Sequence, residues 1–260
     1  MKRMRKAKLR RSTSGRRLQT IGKRFFVGLV ASVSVVGQLA MAAPPIVVAA
    51  PTDGATTCRA IGVNYYDAFY RLLFGADERT MQAGFAYLRQ VDVPFVRFMA
   101  TGFWPKELQR YITDKEGYFR ALDKVIAAAE ANRIGLIPSL AWNYGTIPDL
   151  MKEPASAWGN RSSKTIAFFR TYVKDVVTRY KGSTAIWGWE FGNELNLRID
   201  FPLPNRVRPQ LDASKGTPSA RTSLDDLRLR DAQTAWEVFS ETVRAVDPTR
   251  PLSTGNDFPR

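Results

Sequence analysis

The residues best suited to chemistry lie in one stretch, Ala185-Ile-Trp-Gly-Trp-Glu-Phe-Gly-Asn-Glu-Leu-Asn-Leu197. Its apolar run reads as a buried strand that ends in the pair Asn193-Glu194. A carboxylate at the mouth of a buried strand, beside an amide and among aromatics, suits proton transfer to and from a sugar. Glu194 is therefore the candidate catalytic residue. Similar groups follow other apolar runs: Asn64, Tyr65, Tyr66 and Asp67; Arg97, Phe103 and Trp104; Trp142, Asn143 and Tyr144; Asn196; and Asn256 with Asp257. Sugars present apolar ring faces and many hydroxyls, which aromatic platforms and Asn or Asp side chains match. From this set, Asn193, Arg97, Trp142, Asn143, Tyr66 and Trp104 are the candidate substrate-binding residues.

What is missing narrows the chemistry further. The chain has no histidine, which excludes Ser-His-Asp and Cys-His catalysis and the common histidine zinc sites. No metal or organic cofactor is implied. The single cysteine, Cys58, allows no intrachain disulfide, so the fold must stand on its core. Carboxylate chemistry is the main option left.

Those residues must be positioned by a scaffold, and the chain alternates strand and helix. Strands are expected at 60–66, 94–99, 135–140, 184–191 and 251–256. Helices are expected at 77–91, 118–132, 163–180 and 223–246, from apolar residues at helical spacing such as Met81, Phe85 and Leu88. Apolar strands separated by helices imply a parallel sheet with right-handed crossovers. An open doubly wound sheet would carry a Gly-rich loop after its first strand, whereas here Asn64-Tyr65-Tyr66-Asp67 follows. Short turns before the strands and long polar loops after them fit an α/β fold of the (β/α)8 TIM-barrel type, with its site on the C-terminal face. Four complete units and the start of a fifth are present, so the expected barrel is truncated.

With the elements placed, Trp189-Glu-Phe-Gly-Asn-Glu-Leu-Asn-Leu197 resembles the fourth-strand motif of the clan A glycoside hydrolases, and family 5, the cellulase and β-mannanase family, is the nearest fit. Val96-Arg97-Phe98 is similar to that family's second-strand Val-Arg-Ile/Leu segment, and the resemblance runs from about residue 60 to 257. It implies a retaining glycosidase in which Glu194 is the acid/base, Asn193 holds the substrate 2-hydroxyl and Arg97 sits near the nucleophile. The family's nucleophile is a second glutamate on a seventh strand, which this chain lacks. Retaining sites need two carboxyl groups ~5–5.5 Å apart and inverting ones ~6.5–9.5 Å. Glu190 lies on the same strand as Glu194, roughly 13 Å away at ~3.3 Å per residue, and cannot supply the second group. Asp257 is the other acid placed at a strand mouth.

Plainer readings stand beside these. Glu194 has a structural alternative as the ion-pair partner of Arg97. Trp187 and Trp189 precede the mouth and read as barrel core. The Arg-rich loop 206–221 reads as a solvated, mobile loop, with a second reading as the wall of a cleft for a charged glycan. The chain as a whole reads either as an exported glycosidase or as an inactive, carbohydrate-binding remnant with the groove but no second carboxylate.

The formal charge of +15 would suit nucleic acid were it spread evenly. Eleven of the 39 basic residues lie in residues 1–24, and the rest of the chain has 28 basic against 24 acidic residues. No nucleic-acid partner is therefore expected; the expected partner is a polysaccharide or oligosaccharide substrate. The basic run, the apolar stretch 25–42 and the small-residue pattern Ala40-Met41-Ala42 have the layout of a secretory signal peptide over residues 1–42. An uncleaved anchor is the alternative and would be the one contact with a membrane. Either way the body is exported, to the periplasm or the exterior. Residues 43–58 read as a linker and 59–260 as the barrel. Nothing in the sequence indicates an oligomeric state.

Overall fold

The computed structural model describes residues 60–75 and 77–256. The expected signal segment 1–42, the linker 43–58, Cys58 and Asp257 lie outside the described residues. Five strands form one sheet in the order β1 (Val63–Asn64), β2 (Phe95–Met99), β3 (Gly135–Ala141), β4 (Trp189–Gly192) and β5 (Leu252–Ser253). Every neighbouring pair is parallel, with Arg97 opposite Ile137 and Ser139 opposite Glu190. Sequential parallel strands joined by helices are the β/α-barrel arrangement, and five of the eight strands of a closed barrel are present here.

The strands alternate in what they bury. Val96, Phe98, Leu136, Leu140 and Phe191 are fully buried in the hydrophobic cluster with the helices. Period-two alternation then places Arg97 on the opposite face from Val96 and Phe98. The principal helices are α2 (Glu78–Gln90), α4 (Lys115–Asn132), α6 (Lys164–Tyr180) and α7 (Leu229–Arg244). Their starts follow from capping side chains: Asp77 accepts from Arg79 N–H, Asp114 from Gly117 N–H and Ser163 from Ile166 N–H. Trp189, expected to be core, is fully buried and its indole donates to Asp247 at 2.9 Å. Trp187 is half-buried against Phe95, with ring centroids 5.6 Å apart.

Several boundaries move. The helix expected from 223 begins at Leu229, because Asp225 turns its carboxylate back to Thr222 N–H at 2.9 Å and to Ala155 N–H at 3.2 Å. Those bonds close a 3-10 turn at Ser223–Asp225 instead of opening a helix. Strands β1, β4 and β5 are shorter than expected; residue 186 forms only an isolated bridge with Leu136. Three short helices that the apolar spacing does not reveal follow strands β1, β2 and β3: α1 (Ala68–Leu73), α3 (Pro105–Thr113) and α5 (Thr146–Met151).

Candidate active site

The site is built around Arg97. Its Nε donates to Glu190 Oε1 at 2.6 Å, one terminal nitrogen to Asn193 Oδ1 at 2.9 Å and the other to the Gly192 carbonyl at 3.0 Å. The Trp142 ring covers the guanidinium at 4.3 Å, and the Tyr66 ring stands 6.3 Å from Trp142. Arg97, from the middle of β2, thus meets Asn193, Trp142 and Tyr66, which follow the ends of three other strands. Glu190 is buried, and burial pushes its carboxyl above the ordinary range against the opposing pull of Arg97. The carboxylate paired with Arg97 is therefore Glu190, and not Glu194 as the plainer sequence reading had it.

Glu194 stands one residue beyond this knot, exposed, with its backbone left-handed at φ 53°. Such a conformation costs a non-glycine residue roughly 1–2 kcal/mol and persists only where surrounding structure enforces it. The enforcing contact is a hydrogen bond from Glu194 N–H to the Gly255 carbonyl at 2.8 Å. Gly255 is itself left-handed, and a Cβ there would stand 1.8 Å from the Gly192 carbonyl oxygen. The end of β5 therefore grips the mouth of β4 and turns Glu194 outward, which only glycine at 255 permits. Among the described residues no ion pair engages the Glu194 carboxylate.

Trp142, Asn143 and Asn193 line a cleft together with Phe103, Tyr144, Arg198, Pro209 and Gln210. The other candidates divide. The Asn143 amide is committed within the loops, donating to the Phe103 carbonyl at 3.1 Å and accepting from Gly145 N–H at 3.1 Å. Trp104 stands outside the cleft lining; its ring meets Phe103 at 5.0 Å and it caps α3, where Glu107 accepts from Trp104 N–H at 3.0 Å. Among the described residues no group of three or more His, Cys, Asp or Glu side chains is placed to hold a metal ion.

The loop 206–221 is largely exposed, as a solvated loop is expected to be, and it is fastened at several points. Arg221 grips Asp149 with both terminal nitrogens, at 2.5 and 2.6 Å, and Arg208 grips Asp226 at 2.6 and 3.2 Å. Tyr144 hydroxyl and Arg198 both donate to the Val207 carbonyl, at 2.8 and 3.2 Å. Arg198 is a cleft residue that sequence reasoning missed; Pro209 and Gln210 belong to the loop 206–221, whose second reading was a cleft wall, though neither residue was singled out.

No family model matches the chain. In sequence it is similar to probable mannan endo-1,4-β-mannosidase F of Aspergillus oryzae, 37% identical over 91 residues, which are 32% of this chain and 19% of that protein. It is also similar to probable mannan endo-1,4-β-mannosidase A of Aspergillus niger, 38% identical over 80 residues, 28% of this chain and 21% of that one. In fold it is similar to a glycoside hydrolase family 5 mannosidase from Rhizomucor miehei, with a TM-score of 0.53 and 16% identity over 75% of this chain and 50% of that one. An endo-1,4-β-mannanase from Rhizomucor miehei gives a TM-score of 0.53 and 19% identity, covering 79% and 58%. The fold and the strand-end site define a β/α-barrel protein similar to glycoside hydrolase family 5. The chain spans about half the length of the solved barrels it matches, and the matched stretch is about a fifth of the curated relatives.

Proposed function

We propose that this protein is an exported glycoside hydrolase that cleaves a β-1,4-linked mannan by a retaining mechanism, with Glu194 as the acid/base. The observation that carries the reading is the Arg97–Asn193 bond at 2.9 Å. It occupies the oxygen of the Asn193 amide and leaves the NH2 to donate to a sugar hydroxyl beside Glu194. In the first half of the reaction Glu194 gives its proton to the leaving glycosidic oxygen. In the second half it takes a proton from the attacking water. Trp142 and Tyr66 supply ring faces for the sugar, and Arg97 orients the amide. The nucleophilic carboxylate comes from outside the described residues.

The substrate class follows the printed activity of the mannan endo-1,4-β-mannosidase relatives. Export follows the leader layout of residues 1–42. Incubation of the protein with β-1,4-mannan oligosaccharides tests the reading: release of shorter sugars with retained anomeric configuration is expected, and release with inversion would sink the mechanism. A second reading, a carbohydrate-binding protein without turnover, is favoured by one observation. The other carboxylate of this strand, Glu190, is already committed to Arg97. Binding of the same oligosaccharides without any cleavage would select it.

A further inference from the structure

We infer that Arg221 is a positioning residue for the substrate cleft, acting through Pro209 and Gln210, an inference that rests on the proposed glycan site. Arg221 and Asp149 are almost completely withdrawn from water, with side-chain exposures of 5% and 3%. Their two parallel bonds have the fork geometry that only a guanidinium provides. Of the remaining donors of the same guanidinium, Nε reaches the Pro209 carbonyl at 3.1 Å and Nη2 the Gln210 carbonyl at 3.3 Å, while Nη1 also reaches Asp225 at 3.5 Å. Pro209 and Gln210 line the same cleft as Trp142 and Asn193.

Asp149 belongs to α5, which begins directly after Asn143-Tyr144-Gly145. The ion pair therefore ties the loop after β4 to the loop after β3, and both loops contribute cleft residues. The same contact is tight from the other side. A Cβ on Gly145 would stand 2.4 Å from the Pro209 Cβ, so the wall rests directly on the Gly145 backbone. Two of the three spare donors thus hold the backbone of residues that line the cleft. The Arg221 fork sets how far Pro209 and Gln210 stand from Trp142 and Asn193, and so how those two proposed sugar-binding side chains are held.

The test uses two variants that move the wall by different means. Arg221→Lys removes the fork and keeps the charge. Gly145→Ala leaves the ion pair intact and pushes Pro209 from beneath. Dissociation constants for mannohexaose are measured by calorimetry in the full chain, beside melting temperatures and, where turnover is seen, kcat and KM. Both variants should bind roughly tenfold more weakly, a loss of about 1.4 kcal/mol. KM should rise with kcat unchanged, because the turn of β4 and Gly255, not this loop, hold Glu194. Parental affinity in Gly145→Ala would overturn the inference, even if Arg221→Lys melts early or fails to fold, since Arg221 would then be structural only. A fall in kcat at constant KM would overturn it as well. Failure of the parent to bind any β-1,4-linked oligosaccharide would overturn the proposed function, and the inference with it.

Discussion

Arg97 and Glu190, 93 positions apart in sequence, form an ion pair at 2.6 Å across the inner face of the sheet, and the same arginine holds the Asn193 amide at 2.9 Å. Under the proposed function, stability and substrate recognition share one guanidinium. Removing one partner of a buried pair strands the other, which costs about 3–5 kcal/mol, whereas replacing both with apolar groups is often neutral. Glu190→Ala should lower the unfolding free energy by about that amount in chemical denaturation. The double variant Arg97→Leu/Glu190→Leu should recover most of the loss and still fail to bind glycan, because nothing then orients Asn193. Retained binding in the double variant would show that Arg97 has no part in the site.

Glu107 gives a pH prediction. It is buried at the start of α3, and burial raises its carboxyl above the ordinary glutamate value of 4.5 despite the N–H groups of Trp104 and Phe103 that favour its charged form. A folded value above the unfolded one means that the proton is bound more tightly in the fold. The contribution is full below about pH 4.5 and is lost as pH rises through the folded value. Glu107→Gln, which does not ionise, should show a smaller fall in stability than the parent over that window. Denaturation midpoints followed from pH 4 upward check it, and parallel slopes for the two proteins would contradict it.

Trp142 should separate binding from folding. Its ring covers Arg97 at 4.3 Å but remains half-exposed to the cleft. The cation–π contact is worth about 0.5–1 kcal/mol, so Trp142→Ala should cost about that much in stability. It also removes a stacking face for the sugar, and affinity for mannohexaose should fall by more than the stability change would give. Calorimetric titration of the variant against the parent measures this, with unchanged affinity as the contrary result.

The sequence and the structure agree where local signals suffice. Apolar runs locate all five strands, and the Asn193-Glu194 pair lies at a strand mouth as the run before it predicts. The helices that cover the sheet appear at helical spacing to within a few residues, α7 excepted. What local signals do not carry is long-range pairing. Glu190 could be ruled out as a second carboxylate from its distance along the strand, but its bond to Arg97 depends on two strands being brought together. Asp149 and Arg221 are 72 positions apart, and a loop rich in arginine gives no hint that one of them is buried. Asn143 was legible as a strand-end amide, yet its partners, Phe103 and Gly145, are set by how two loops meet. The short helices α1, α3 and α5 are too brief to show a periodic apolar face. The left-handed turn at Glu194 depends on Gly255, a residue some sixty positions downstream whose role appears only when β5 lies beside β4.

The most direct test of Glu194 compares two substrates in the parent and in Glu194→Gln. Mannohexaose needs a proton on its leaving oxygen, while a dinitrophenyl β-mannoside has a leaving group that departs without one. The account predicts that the variant loses about 10²–10⁴-fold on mannohexaose, the usual worth of a positioned acid, and far less in forming the glycosyl intermediate from the activated mannoside. Parental turnover of mannohexaose by Glu194→Gln would contradict it.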